Sequence, residues 1–395
     1  MDSYYRPTWA EISLDALRGN MEAIRTALPK GCKLMASVKA NAYGHGAVEI
    51  ARAAERFGAD YLGVAFLDEA LQLRKAGIQS PILVLGFVPA EGLSLAREHG
   101  IAISLFRDDI LQAAAQLPPA ANGNKLKAHI KIDTGMGRLG IIGLERALAF
   151  IEDAFRTEGL EVEGLFTHYA KADEADKSYT ERQYGRFREV AEAVKARGLH
   201  IPIVHAANSA AGIDTPEWAC GMVRLGIAMY GLYPSDEVNK RKVALEPVLS
   251  LKSKIAYVKT APAGWGISYG TRYVTRGGER IGTIPVGYAD GFSRMLTGKA
   301  HGLVRGVKSP ILGTICMDQC MIALDHAEQA AGEGPVGPDE EVVLIGRQGG
   351  AVITAEDIAA QLDTIPYEVI CMLSARVPRV YMQDGEVAAV NNALA

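Results

Sequence analysis

Eight short apolar runs, each bounded by turn residues and most separated from the next by an amphipathic stretch, occupy the first 245 or so residues. They fall at 33–38, 61–65, 82–85, 101–105, 128–132, 164–167, 203–206 and 222–225. Runs this short suit strands better than helices. The stretches 47–57, 67–75, 144–155 and 181–197 space their apolar residues as helices do, and the last gap leaves room only for a short helix. Strand and helix in alternation imply a parallel sheet. Eight such units in about 240 residues suit a closed (β/α)8, TIM-like barrel better than an open sheet.

From about residue 245 the texture changes. Strand-like runs follow closely at 248–258, 281–286, 309–315 and 342–345, with glycine turns between them, and only 354–362 and 367–373 read as helices. The expected architecture is α/β: a barrel over residues 9–245, then a mainly β C-terminal domain over 246–395 that also takes residues 1–8. The stretch Glu333-Gly334-Pro335-Val336-Gly337-Pro338 reads as an exposed loop.

Composition narrows the partners. With 49% hydrophobic residues and a net charge of −4, the chain can build ordinary cores, and no Lys/Arg block points to nucleic acid. Residues 1–7 lack the apolar centre of a signal peptide, and no run is long enough to span a bilayer. Cys32, Cys220, Cys316, Cys320 and Cys371 are odd in number, scattered, and free of Cys-x-x-Cys spacing, which suits reduced thiols in the cytoplasm. The eight histidines show no zinc-binding spacing, and no metal is expected.

Barrel active sites lie at the C-terminal ends of the strands. Those ends supply Lys39 and Tyr43 after the first, then Lys131, Asp133 and Arg138 after the fifth. His168 follows the sixth, Asn208 and Ser209 the seventh, and Arg224, Gly226 and Ile227 stand at the eighth. A lysine at such a mouth can form a Schiff base with a carbonyl once burial lowers its pKa. Gly135-Met136-Gly137-Arg138-Leu139-Gly140 fits the dinucleotide pattern G-x-G-x-x-G. It sits on the fifth strand, however, with an arginine in its middle, so a sharp turn aiming Arg138 into the mouth explains it better. Ser209, Tyr43 and the backbone of Gly226-Ile227 form a candidate phosphate cradle.

The string Ala36-Ser37-Val38-Lys39-Ala40-Asn41-Ala42-Tyr43-Gly44-His45-Gly46 resembles the pyridoxal phosphate (PLP) lysine motif of the alanine racemase family. Further blocks resemble the same family, in its order: 131–140, Thr167-His168-Tyr169-Ala170, 223–231, 285–291 and Ile315-Cys316-Met317-Asp318-Gln319. Tyr269 and Tyr367 complete the set. The resemblance implies that Lys39 holds PLP, that Arg224 faces the pyridine nitrogen, and that Lys39 and Tyr269 serve opposite faces of the substrate Cα. A phenol needs nearby positive charge to act as a base near neutral pH, and His168 held by Arg224 is the family's means. It also implies a homodimer with shared sites, in which Tyr269, Met317 and Asp318 reach the partner's cofactor. Arg138 and Met317 would bind the substrate carboxylate, and Arg138 also the PLP phenolic oxygen. Lys131 matches a lysine often carbamylated in this family. Tyr367 and Tyr269 would form an inner gate sized for a methyl group, with Tyr288, Arg294, Asp173 and Ile365 lining a corridor. Thr314 departs from the family, where arginine is frequent. The implied reaction interconverts L- and D-alanine, supplying D-alanine for peptidoglycan. Alternatives are a broader racemase for small amino acids such as serine, a PLP decarboxylase on the same barrel type, and a non-catalytic PLP-binding protein.

Overall fold

The computed structural model describes residues 3–120, 123–331 and 334–395. It divides into two compact units, one of residues 17–42 and 47–246, the other of the described residues up to 16, 43–46 and 247–395. The first unit is the expected (β/α)8 barrel. Its strands are Lys33–Ser37, Tyr61–Val64, Ile82–Val84, Ile101–Leu105, Leu126–Lys131, Leu160–Phe166, Ile203–His205 and Met222–Leu225. All seven pairings run parallel, and the eighth strand pairs with the first. The seventh and eighth are joined more loosely, by Gly221 N to Val204 O at 2.7 Å and Arg224 N to Ala207 O at 3.0 Å, so the barrel is nearly closed.

The strands read as apolar runs because both sheet faces are covered. Met35, Tyr61, Leu83, Ala102, Ile203 and Met222, from six different strands, meet as one buried cluster. The helices Ala47–Arg56, Leu67–Lys75 and Leu144–Arg156 fall where the apolar periodicity places them, and Ser178–Ala196 begins a few residues earlier.

The second unit is mainly β, as expected. Its large sheet has eleven strands, with Thr8–Ser13 lying between Leu249–Lys254, antiparallel, and Arg379–Gln383, parallel. Threonine and serine hydroxyls meet inside it, Thr8 Oγ1 to Ser253 Oγ at 2.7 Å. The expected single run 248–258 is two strands, Leu249–Lys254 and Tyr257–Ala261. The backbone changes partners between them: Ile255 N bonds Glu340 O, and Ala256 N bonds Thr283 O. Of the expected loop 333–338, Glu333 lies outside the described residues, and 334–338 carry no helix or strand. None of the five cysteines is in a disulfide.

Candidate active site

Lys39 follows the first barrel strand by two residues and enters an unusual turn. Ala40, Asn41 and Ala42 hold φ of 51–53° with ψ of 45–51°, and Tyr43 holds φ of 53°. Each non-glycine residue in this left-handed region costs about 1–2 kcal/mol, so the turn must be held from outside. Ala42 N bonds Val38 O at 2.9 Å, and Ala47 N bonds the Asn41 side-chain oxygen at 2.9 Å, starting the next helix. Ala40 N donates to Glu69 Oε1 at 2.7 Å.

Arg224, on the eighth strand and 5% exposed, is the hub of the mouth. Its two Nη2 hydrogens are shared among Thr167 O and Ala206 O, each at 2.8 Å, and His168 Nδ1 at 3.1 Å, while Nη1 donates to His205 Nδ1 at 2.9 Å. A guanidinium offers no lone pair. Both Nδ1 atoms are therefore acceptors, and both imidazoles are neutral with the proton on Nε2. Burial, then the charge of Arg224, pushes both histidines well below their ordinary pKa. Burial brings Arg224 itself down to about 10, which leaves it charged at neutral pH.

The hydrogen bonds continue through the barrel interior. His205 Nε2 lies 2.9 Å from His129 Nδ1, and His129 Nε2 lies 3.2 Å from Glu163 Oε2. Lys127 Nζ donates to Glu163 Oε1 at 2.7 Å. The local sequence makes this possible in two ways. The fifth and sixth strands slip register between Ala128 and His129, a bulge that leaves Glu163 as the extra residue. Gly164 then makes room, since a Cβ there would sit 2.1 Å from His129 Nδ1. Burial works to raise the Glu163 carboxyl, but bonds from His129, Lys127 and Tyr61 outweigh it and bring it down to about 2.

Lys131 ends the fifth strand, 4% exposed, with Nζ 4.9 Å from the Phe166 ring centre; Arg224 lies over the same ring at 5.5 Å. Burial first, then Arg224 and Arg138, lowers the Lys131 amine to about 7. The glycine-rich turn that follows folds about its own acid. Asp133 Oδ1 accepts from the amides of Gly135, Met136 and Gly137 at 2.9, 2.9 and 3.1 Å. Gly135, Gly137 and Gly140 all hold positive φ, and a Cβ on Gly140 would meet Asp133 N at 2.6 Å. The amides a dinucleotide phosphate would need are thus taken by Asp133, and Arg138 stands exposed beyond them.

Asn208, not Ser209, caps the short helix Ser209–Asp214, accepting from Ala211 N at 3.1 Å. Ser209 Oγ instead receives the amides of Gly226 at 2.9 Å and Ala228 at 3.4 Å. This ties the seventh and eighth strand ends together, and the Gly226 amide, expected to serve a phosphate, is taken by Ser209. Gln183, fully buried, locks the His168 loop: its Nε2 reaches His168 O at 3.1 Å, and its Oε1 accepts from Ala170 N at 2.8 Å. His129, His205, Glu163, Gln183 and Glu69 were not among the sequence candidates. Polar residues inside the apolar runs 128–132 and 203–206 are the signal for His129 and His205; Glu163 lies one residue before the run 164–167.

The β-rich unit carries the other set. Tyr269, 74% exposed, sits between Ser268 at φ 64° and Gly270 at φ 72°. Thr314, buried, donates from Oγ1 to Tyr269 O at 2.8 Å, and Ser268 Oγ donates to Thr314 O at 2.5 Å. The threonine that departs from the family pattern is thus a clamp on the Tyr269 backbone. Tyr288 N bonds Cys316 O and Ala289 N bonds Met317 O, both at 3.0 Å, which brings the Tyr288 and Met317 blocks together. Asp318 pairs with Arg376 at 2.6 Å, and Arg376 also holds the buried Asp290 at 2.7 Å. Tyr367 lies 6.2 Å, ring to ring, from Tyr43.

The family described as "Alanine racemase, N-terminal domain" matches residues 12–234, and that described as "Alanine racemase, C-terminal domain" matches 248–381. A curated relative named alanine racemase, from Halalkalibacterium halodurans, is 46% identical over 397 residues, covering all of both chains. The structure of an alanine racemase from Clostridium difficile matches with a TM-score of 0.93 at 41% identity over the whole of both chains. That of alanine racemase from Bacillus anthracis with bound L-Ala-P matches with a TM-score of 0.92 at 42% identity, covering 100% of this chain and 99% of that one. With this barrel and mainly β domain, the named relatives place the chain among the isomerases, as an amino-acid racemase. It belongs to the alanine racemase family.

Proposed function

We propose that this chain interconverts L- and D-alanine with PLP bound through Lys39, as a homodimer whose sites are completed by Tyr269, Met317 and Asp318 of the partner subunit. The single observation that carries the reading is the Arg224 hub: a buried cation, fixed by two neutral histidines and two carbonyls, at the mouth that also holds Lys39. The donor set fits a phosphorylated pyridine aldehyde. Lys39 offers an amine, Arg224 a donor that gives up no proton, and Ser209 a hydroxyl beside the Gly226-Ile227 turn that suits a phosphate. Tyr43 and Tyr367, held ring against ring, are assigned to the same cofactor.

When bound, the cofactor supplies the electron sink that acidifies the substrate Cα–H. Arg224 keeps that sink weak, because a guanidinium does not protonate the ring nitrogen, and this disfavours side reactions such as transamination. Lys39 Nζ takes or returns the proton on one face of Cα, and the Tyr269 hydroxyl of the partner subunit does so on the other. Arg138, with the partner subunit's Met317 amide, orients the substrate carboxylate. Tyr288 and Asp318 are assigned to the substrate entrance. Lys131, buried and with its amine near pKa 7, is set to react with carbon dioxide: its nitrogen bonds the carbon, loses a proton, and becomes an anionic carbamate that holds Arg138. We assign the barrel to residues 17–42 and 47–246; residues 9–16, expected in it, belong to the β-rich unit, where Thr8–Ser13 pairs with Leu249–Lys254 and Arg379–Gln383. No helix among the described residues is long and apolar enough to cross a membrane, in keeping with a cytoplasmic role that supplies D-alanine for peptidoglycan.

Chiral chromatography of L-alanine incubated with the protein and PLP tests the reading; D-alanine formed to near equality with L-alanine is expected. Absence of D-alanine from a PLP-loaded dimer overturns it. Turnover of serine equal to that of alanine replaces it with a broader racemase.

A further inference from the structure

Glu69 lies on the helix Leu67–Lys75, outside the Arg224 hub, and its carboxylate is divided between two tasks. Oε2 accepts from Ala65 N at 2.7 Å and Phe66 N at 3.4 Å, at the start of the helix Leu67–Lys75. Oε1 accepts from Ala40 N at 2.7 Å. The first contact is the ordinary back-reaching bond of a helix N3 glutamate. The second is not explained by the helix: it reaches the residue directly after Lys39, at the point where the chain enters the left-handed region.

We propose that Glu69 is a positioning residue for Lys39, holding Ala40 in a conformation it would otherwise leave. The inference deepens the proposed function and rests on Lys39 being the working amine. Ala40, Asn41 and Ala42 all hold positive φ without the freedom of glycine. Asn41 fixes the far end of the turn through Ala47 N, and Glu69 fixes the near end. Only an acceptor on both oxygens serves both elements at once, and an ionised carboxylate is that group. Ala40 is exposed, so no packing contact replaces the bond. With Glu69 gone, Ala40 relaxes toward negative φ, and the adjoining Cα–Cβ direction of Lys39 turns with it.

The test uses the PLP-loaded full chain. Glu69→Ala is expected to speed amide hydrogen exchange at Ala40 by about 100-fold. Its kcat should fall by about 10- to 100-fold with KM changed by less than about threefold, as for a misaimed group. Adding Phe66→Ser supplies the helix with a local cap and should restore Tm but not kcat. Adding Ala40→Gly instead, which removes the penalty for positive φ, should recover about threefold or more of the lost kcat. If Glu69→Ala does not fold, the double variant Glu69→Ala with Phe66→Ser, which carries its own helix cap, takes its place. Unchanged exchange at Ala40, full recovery of kcat by Phe66→Ser, or no recovery with Ala40→Gly overturns the proposal. Exchange at Ala40 decides it whether or not the wild-type chain racemises alanine, so the two readings fail separately.

Discussion

Arg224 donates from Nη1 to Nδ1 of His205 at 2.9 Å, and that single contact sets the sense of a hydrogen-bonded chain through the barrel. With Nδ1 of His205 occupied as acceptor, its proton is on Nε2 and points at His129 Nδ1. The Nε2 proton of His129 then points at Glu163. An arginine that only donates stands at one end, and a carboxylate that only accepts stands at the other.

Glu163→Gln therefore threatens the whole chain. A glutamine can offer N–H to His129, which would reverse both imidazoles and set a His205 N–H against Arg224. A loss of about 1–3 kcal/mol in unfolding free energy is expected at pH 7, together with altered 15N shifts of both histidines. The carboxyl is held near pH 2 in the folded chain against an ordinary value near 4.5. A depressed acid stabilises the fold above its unfolded pKa and loses that contribution as pH falls through its folded pKa. The stability gap between wild type and Glu163→Gln should thus narrow as pH drops from about 4.5 to 2. Urea titrations at pH 5 and pH 3 check this; a gap that stays constant removes Glu163 from the acid response.

Lys131 carries the opposite linkage. Its folded pKa of about 7 lies below the ordinary 10.5, so over that window the unfolded chain binds the proton that the folded chain refuses. In protein freed of carbon dioxide, where the amine is unmodified, stability against unfolding should rise as pH goes from 7 to about 10, and Lys131→Met should flatten the rise. The same neutral amine makes carbamylation accessible. Growth or incubation with 13C-bicarbonate should label a carbamate carbon in the wild type and not in Lys131→Arg.

Thr314→Val keeps shape and removes one hydroxyl. Its bond to Tyr269 O is lost, at a cost of about 1 kcal/mol, and the exposed tyrosine loses its backbone clamp. Deuterium exchange at the alanine Cα should slow more from one enantiomer than from the other. Thr314→Ser, which keeps the donor, should behave as wild type. Equal slowing from both enantiomers would mean the clamp serves the fold alone.

Tyr269→Phe and Lys39→Ala address the two faces directly. Phenylalanine at 269 should reduce proton exchange from one enantiomer by about 100-fold or more, with less effect on the other. Alanine at 39 should abolish the visible absorbance of lysine-bound PLP and nearly all turnover. A Lys39→Ala enzyme running at the wild-type rate would end the lysine's assignment.

The barrel was legible because parallel strands covered on both faces stand out as apolar runs. Ile101–Leu105 and Met222–Leu225 fall at the expected residues. Edge and hairpin strands were harder. Arg379–Gln383 and Glu386–Asn391 pair around Asp384-Gly385, both at positive φ, and that dipeptide is a hairpin signal the sequence did contain. Thr8–Ser13 gave no such sign, because its partners lie more than 230 residues away in sequence. At the site, the strand-end lysines, histidine and arginine could be read from position. The roles of His129, His205 and Glu163 could not, because they depend on a bulge and on the space Gly164 leaves.

The turn from Asp133 to Arg138 carries its counter-ligand within itself: three amides are satisfied by a side chain two to four residues back. Its shape is settled before any small molecule arrives. A ligand met by this turn would order the exposed Arg138 side chain rather than a loop.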